Sequence, residues 1–208
     1  MAEKVYLYSR FERFWHWFQA ILILVLLLTG FEIHGSYTLL GFERAVKWHD
    51  ISAWTLLGLT AFAIFWHFTT GEWRHYLPIR EKMAEICYYY ACGIFKGECH
   101  PHEKHPEKKL NALQRLAYLF LKIFIFPLLF VTGLLYYYNQ SLGISFGSVA
   151  ILHSAGAFLM LAFLILHSYL TTTGKTPLSH LKGMLTGWEE IENSSMAQGP
   201  TQNAEQGP

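Results

Sequence analysis

The sequence predicts an all-α membrane protein: a bundle of four transmembrane helices with a short amphipathic helix lying on one membrane surface. Three observations lead there. Of the 208 residues, 52% are hydrophobic and only 15% charged, whereas a soluble domain carries ~25% charged residues. Four segments are apolar over enough residues to cross a ~30 Å hydrocarbon core. Lys and Arg are abundant in alternate connections and scarce in the others, the asymmetry that orients membrane helices. The net charge of +1 comes with no basic stripe, which argues against a nucleic-acid partner.

The first span is expected over residues 14–33, dense in Leu and Ile from Ala20 onward. It is too long for a signal peptide and lacks a small-residue cleavage site, so it reads as retained. The other spans are expected over 51–70, 116–138 and 147–170. Lys4, Arg10 and Arg13 flank the first span. The long second connection carries Arg74, Arg80, Lys82, Lys96, Lys104, Lys108, Lys109 and Arg115, and Lys175 and Lys182 follow the last span. The first loop has only Arg44 and Lys47, and the third, residues 139–148, has neither Lys nor Arg. Both termini and the long loop are therefore expected to be cytoplasmic. Trp15, Trp17, Trp48, Trp73 and Tyr136 to Tyr138 fall where interfacial aromatic belts occur.

Within the long loop, Met83, Ile86, Cys87, Tyr90, Ile94 and Phe95 recur at three- and four-residue spacing, the mark of a surface amphipathic helix. Cys87, Cys92 and Cys99 do not follow a zinc or c-type haem spacing and read as free thiols in a reducing compartment. Cys99, His100, His102 and His105 read as a solvated loop, with metal binding as the alternative. Residues 1–188 form the membrane domain. Past Trp188 the acidic and then Ser-, Gln-, Gly- and Pro-containing tail, 189–208, reads as disordered.

The chemistry is carried by histidines. His153 and His167 lie fourteen residues apart in the fourth span, so a helix presents both within ~40° of one face and ~21 Å apart along its axis. His16 opens the first predicted span and His49 the second. Ionisable groups in spans are rare and usually functional, and neutral imidazole is an iron ligand. With the alternating topology, depth pairs His16 with His167 on the inner side and His49 with His153 on the outer, enough for two haems between the helices. His34 and His67 lie eighteen residues after His16 and His49 and share their faces. Periodicity leaves both open as ligands; His67 is also a candidate contact for a haem propionate or a quinone. Gly30, Gly58, Gly133, Gly156 and Ala157 would admit close helices or a flat macrocycle. Lys122, a formal charge inside the third span, either snorkels to the inner surface or serves a propionate or a proton.

The motifs Arg13-Phe14-Trp15-His16-Trp17 and Trp48-His49, the His153/His167 pair, Pro127 and Thr132-Gly133 make residues 8 to 187 resemble the bacterial di-haem cytochrome b superfamily. That superfamily includes formate dehydrogenase gamma subunits, Ni–Fe hydrogenase b-type subunits and thiosulfate reductase cytochrome b subunits. The resemblance implies b-type haems, the same ligand pairing and a bacterial inner-membrane location. Residues Leu110-Asn111-Ala112-Leu113-Gln114 are similar to the Tyr-Asn-Ala-Gly-Gln stretch bordering the menaquinone pocket of the gamma subunits, with Leu113 in place of the glycine. Asn111 and Gln114 are thus implied contacts for menaquinone or ubiquinone, and Asn111 alternatively reads as a helix N-cap.

The sequence carries no nucleotide fingerprint and no catalytic triad. The expected function is an electron-transfer subunit linking the quinone pool to an external iron–sulfur or multihaem c-type partner, in either direction. The alternative is a stand-alone transmembrane reductase serving an external acceptor. A metal transporter fits less well, since transport sites cluster near the midplane.

Overall fold

The structure is a computed structural model describing residues 2–79, 82–98, 109–138, 145–174 and 176–192. Arg80, the Cys99 to His105 cluster, Lys104, Lys108, Lys175, most of the third loop (139–144) and the tail from 193 lie outside the described residues.

Helix α1 (Arg10–Ile33) starts one turn before the expected Phe14 because a capping box begins it. Ser9 Oγ accepts from the Glu12 N–H at 3.2 Å, and Glu12 Oε2 accepts from the Ser9 N–H at 2.7 Å, satisfying orphan first-turn donors. Its first turn is charged, which hid the start from hydropathy. The same effect is larger in α2 (Phe42–Thr70), expected from Ile51: Glu43, Arg44 and Lys47 lie on helix. His49 is consequently two turns inside α2 rather than at its opening. The tight α1–α2 connection is closed by Glu32, whose Oε1 accepts from the N–H groups of Leu39, Leu40 and Gly41 at 2.6–2.8 Å.

A 3-10 turn (Glu72–Tyr76) follows α2. Helix α3 (Met83–Ala91) and a further 3-10 turn (Gly93–Lys96) form the amphipathic segment. Ile86 and Tyr89 are its buried residues, while Cys87 and Phe95 are exposed. The inward face is therefore rotated by a residue or two from the one expected, because α3 packs against the next helix as well as facing lipid.

The third span is compound: α4 (Ala112–Phe120), a π-helical turn (Leu121–Ile125) and α5 (Phe126–Tyr137). Pro127 has no N–H to return to the Ile123 carbonyl, so the regular ladder fails there and a wider turn takes it up. The fourth span is α6 (Phe146–Thr171). All four spans are long and apolar enough to cross a membrane. Leu22 and Ile23 of α1, Leu56 of α2, Leu121, Ile125 and Phe126 of the third span and Met160 of α6 form the central core. Met160 lies seven residues from both His153 and His167, so this apolar layer separates the two histidine levels. Side chains such as Leu28, Phe65, Ile123, Ile151, Phe158 and Leu166 are exposed; in a bilayer they face acyl chains, where no hydrophobic penalty applies.

The first and last described segments, residues 2–9 and 176–192, lie together at one end of the bundle, the terminal end. Helix α7 (Ser179–Thr186) docks there on α1, its last carbonyls taken by Arg13 Nη1 on Leu185 (2.7 Å) and Trp17 Nε1 on Met184 (3.2 Å). Strand β1 (Ala2–Tyr6) then pairs antiparallel with β2 (Trp188–Glu192), Tyr6 opposite Trp188 and Lys4 opposite Glu190. Residues 189–192, the start of the stretch expected to be disordered, thus lie in strand β2. The acidic run lacks a local signal for structure, but a distant strand supplies its ladder, and Glu189 Oε1 accepts from His180 Nδ1 at 2.7 Å.

Candidate functional site

The structure brings four of the histidines together as two pairs. At the end away from strands β1 and β2, His49 of α2 and His153 of α6 face each other with ring centroids 6.3 Å apart. At the terminal end, His16 of α1 and His167 of α6 do so at 6.0 Å. Two in-line metal–nitrogen bonds of ~2.0 Å, with each nitrogen ~1.1 Å from its ring centre at ordinary C–N lengths, call for centroids ~6.2 Å apart. Both pairs therefore have the spacing of two imidazoles on one metal ion.

Hydrogen bonding sets the tautomer of the far pair. Thr29 Oγ1 donates its single proton back to the Val25 carbonyl at 2.7 Å, and Thr132 Oγ1 does the same to the Leu128 carbonyl at 2.6 Å. Each hydroxyl can then only accept, and it does so from His49 Nδ1 (3.0 Å) and His153 Nδ1 (2.8 Å). With the proton on Nδ1, the lone pair is on Nε2, the form that ligates a metal. Beside each threonine is a glycine. A Cβ on Gly30 would lie 3.4 Å from His49 Cε1, and one on Gly133 3.7 Å from His153 Cε1. A Thr-Gly dipeptide on α1 and another on α5 thus embrace the two histidines alike. Sequence reasoning noted Thr132-Gly133 but missed Thr29; the repeated dipeptide was the available signal. Gly156 serves helix contact instead, its Cβ position only 2.9 Å from Leu129 Cδ2, while Gly58 meets nothing within 4 Å.

The near pair has different surroundings. Phe163 stacks on His167, with centroids 5.8 Å apart and rings 6° from parallel, and Tyr118 OH is 3.5 Å from His167 Nδ1. His16 Nδ1 is buried without a hydrogen-bond partner among the described residues. Close by, His67 donates Nδ1–H to the Ala63 carbonyl at 2.6 Å, so its Nε2 accepts from Tyr76 OH at 3.4 Å. Burial holds the Tyr76 phenol well above its usual pKa, keeping it a neutral donor. His67 therefore has both nitrogens engaged away from the paired imidazoles. His34 Nε2 lies 3.4 Å from Ser154 Oγ. Neither has a second histidine ring against it at the spacing of the two pairs.

Asn111 and Gln114 start the third span as a capping box: Asn111 Oδ1 accepts from the Gln114 N–H (2.8 Å), and Gln114 Oε1 accepts from the Asn111 N–H (3.0 Å). Asn111 Nδ2 donates to Tyr90 OH at 3.2 Å, and Asn111 is 2% exposed. Lys109 beside it bridges Glu12 (3.0 Å) and Glu72 (3.3 Å), tying the start of α1, the 3-10 turn and the approach to α4 together. Lys122 reaches toward the 3-10 turn that follows α2. Its Nζ lies 3.2 Å from the Tyr76 ring centroid and 5.4 Å from the Trp15 ring, inside the bundle.

Residues 7–187 match the model of the prokaryotic cytochrome b561 family. The chain belongs to that family. It is also 35% identical over 199 residues to YdhU of Escherichia coli (strain K12), a protein named as a cytochrome, covering 90% of this chain and 75% of that one. The protein is thus a membrane haem protein of the cytochrome b561 type, whose family binds b-type haem and works in electron transfer. The paired imidazoles, the Nδ1–H tautomers and the glycine cradles all suit that group.

Proposed function

We propose that this cytochrome carries electrons across the inner membrane between the quinone pool and a redox partner outside, through two b-type haems. His16 and His167 would hold the inner one and His49 and His153 the outer. The reading rests on one observation above all: two histidine pairs at metal-sharing ring separations, 6.0 and 6.3 Å, on opposite sides of an apolar layer. Bound haem supplies a one-electron couple at each level. The chain's own residues fix the axial imidazoles, exclude water with the Leu22, Leu56, Phe126 and Met160 layer, and keep Nε2 available through Thr29 and Thr132.

With the Lys and Arg asymmetry, the terminal end is cytoplasmic. The quinone, menaquinone or ubiquinone, would bind there, beside the inner pair and within reach of His67, with Asn111 and Gln114 holding the start of the third span behind it. Quinol oxidation releases two electrons and two protons. The electrons would pass singly to the inner haem and the protons to the cytoplasmic side through the polar cluster of Tyr76, His67 and the Glu12–Lys109–Glu72 bridge. At the opposite end the short connection closed by Glu32 leaves the outer pair close to the surface, where an exported iron–sulfur or multihaem c-type subunit would dock. Haem quantification with a redox titration of the purified protein tests this reading. Two haems per chain with distinct potentials and bis-histidine spectra are expected, and a single haem would overturn it.

A further inference from the structure

Lys122 sits in a π-helical turn, a local arrangement that places an extra residue in the helix and recurs at functional sites. Leu121 and Ile125 of that turn enter the core, and the Lys122 ammonium is directed between helices instead of outward. Its three donors meet the faces of Tyr76 and Trp15, which accept charge but offer no conventional hydrogen-bond acceptor. No carboxylate pairs with it among the described residues. An ammonium inside a span is costly without compensation, so an acceptor oxygen is the missing partner.

The walls around it are flat and aromatic. Tyr76 touches both Lys122 and His67, with Tyr76 and His67 centroids 5.3 Å apart; Trp15 is 5.5 Å from His67, and Tyr76 and Tyr118 are 6.4 Å apart. Trp15 is adjacent in sequence to His16, and Tyr118 reaches His167. We propose that Lys122 is the binding residue for a quinone carbonyl: its ammonium donates to the carbonyl oxygen while the quinone ring lies against Trp15 and Tyr76, within reach of the inner haem. This rests on the quinone reading above and deepens it. A haem propionate is the competing oxygen, but Arg13, one helical turn before His16, offers a buried Nε with no hydrogen-bond partner among the described residues and suits that anion better.

The test uses the haem-loaded full chain in detergent, titrated with decyl-ubiquinone and with menadione while the inner haem's absorption band and midpoint potential are followed. In the unaltered protein quinone addition should shift that haem. Lys122→Met should weaken the response at least ~10-fold in quinone concentration, the loss expected for a charged hydrogen bond. Lys122→Arg, which keeps a charged donor, should recover most of it even if the Met variant folds poorly. Equal quinone responses in the Lys122→Met and unaltered proteins would overturn the assignment of Lys122. A moved inner-haem potential in quinone-free Lys122→Met, with unchanged quinone affinity, would assign the residue to a propionate and overturn it too. No shift in the unaltered protein would instead overturn the quinone reading underneath.

Discussion

The two histidine pairs have nearly the same ring separation and opposite surroundings. Around the outer pair, every imidazole Nδ1 is held by a threonine hydroxyl whose own proton is already committed to a helix carbonyl. The inner pair has one Nδ1 without a partner and one facing a tyrosine at 3.5 Å. Its neighbourhood instead gathers Trp15, Tyr76, Tyr118, His67 and Lys122, a collection of donors, acceptors and flat faces. On the proposed two-haem reading the contrast is a division of labour: a locked ligand set suits a haem that only relays electrons, whereas loosely held ligands beside polar aromatics suit one that works against an exchangeable, proton-carrying molecule.

Removing an axial ligand is the strongest way to break the comparison. His153→Ala or His49→Ala should abolish the outer haem and leave the inner one, and His16→Ala or His167→Ala should do the reverse, read by haem quantification and by the loss of one of two potentials. Full occupancy of both haems in His49→Ala would make His34 the outer ligand. Next in size are Thr29→Val and Thr132→Val. Each leaves a buried Nδ1–H unpaired and lowers the basicity of its imidazole, so the ferric state is less stabilised and the outer potential should rise; outer-haem retention should fall by ~10- to 100-fold. The inner potential should stay put. Movement of both would mean that the two sites are not independent.

The part of this arrangement legible in the sequence is the part governed by short-range periodicity. His153 and His167 share a helix, so their common face followed from 3.6-residue geometry, and the lipid-facing surface kept the spans visibly apolar. What hydropathy hid were helix beginnings with charged first turns, Arg10 to Arg13 and Glu43 to Lys47, where capping and a Gly41 φ of +85° decide the boundary. Pairing of Lys4 with Glu190 joins the two ends of the chain and leaves no local trace. The roles of Thr29 and Lys122 depend on neighbours from other helices. A threonine near a span end, or a lysine able to snorkel, reads as ordinary until those neighbours are in place.

Tyr118→Phe sharpens the comparison from the inner side. The Tyr118 hydroxyl stands at the outer limit of a hydrogen bond to His167, so its loss should move the inner potential in the same upward direction as the threonine variants, by a smaller amount. Parallel redox titrations of the three variants measure the ranking. A Tyr118 effect larger than either threonine effect would show that the inner imidazole is as firmly held as the outer ones.

The smallest effect expected is that of Asn111→Ala. Asn111 is nearly fully buried, but its acceptor is spent on the Gln114 N–H and its amide on Tyr90, so it acts on the start of the third span before it acts on any ligand. Losing the cap should cost ~1 kcal/mol of stability, seen as a modest fall in the thermal midpoint followed by haem release. Both haem potentials should be unchanged, and the quinone response should remain within ~3-fold of normal, since a cap of this size shifts the helix end by less than a full hydrogen bond at the ligand. A quinone response weakened as much as in Lys122→Met would bring Asn111 into the pocket itself. The quinone would then span the gap between the helix start and the π turn instead of resting on Trp15 and Tyr76 alone.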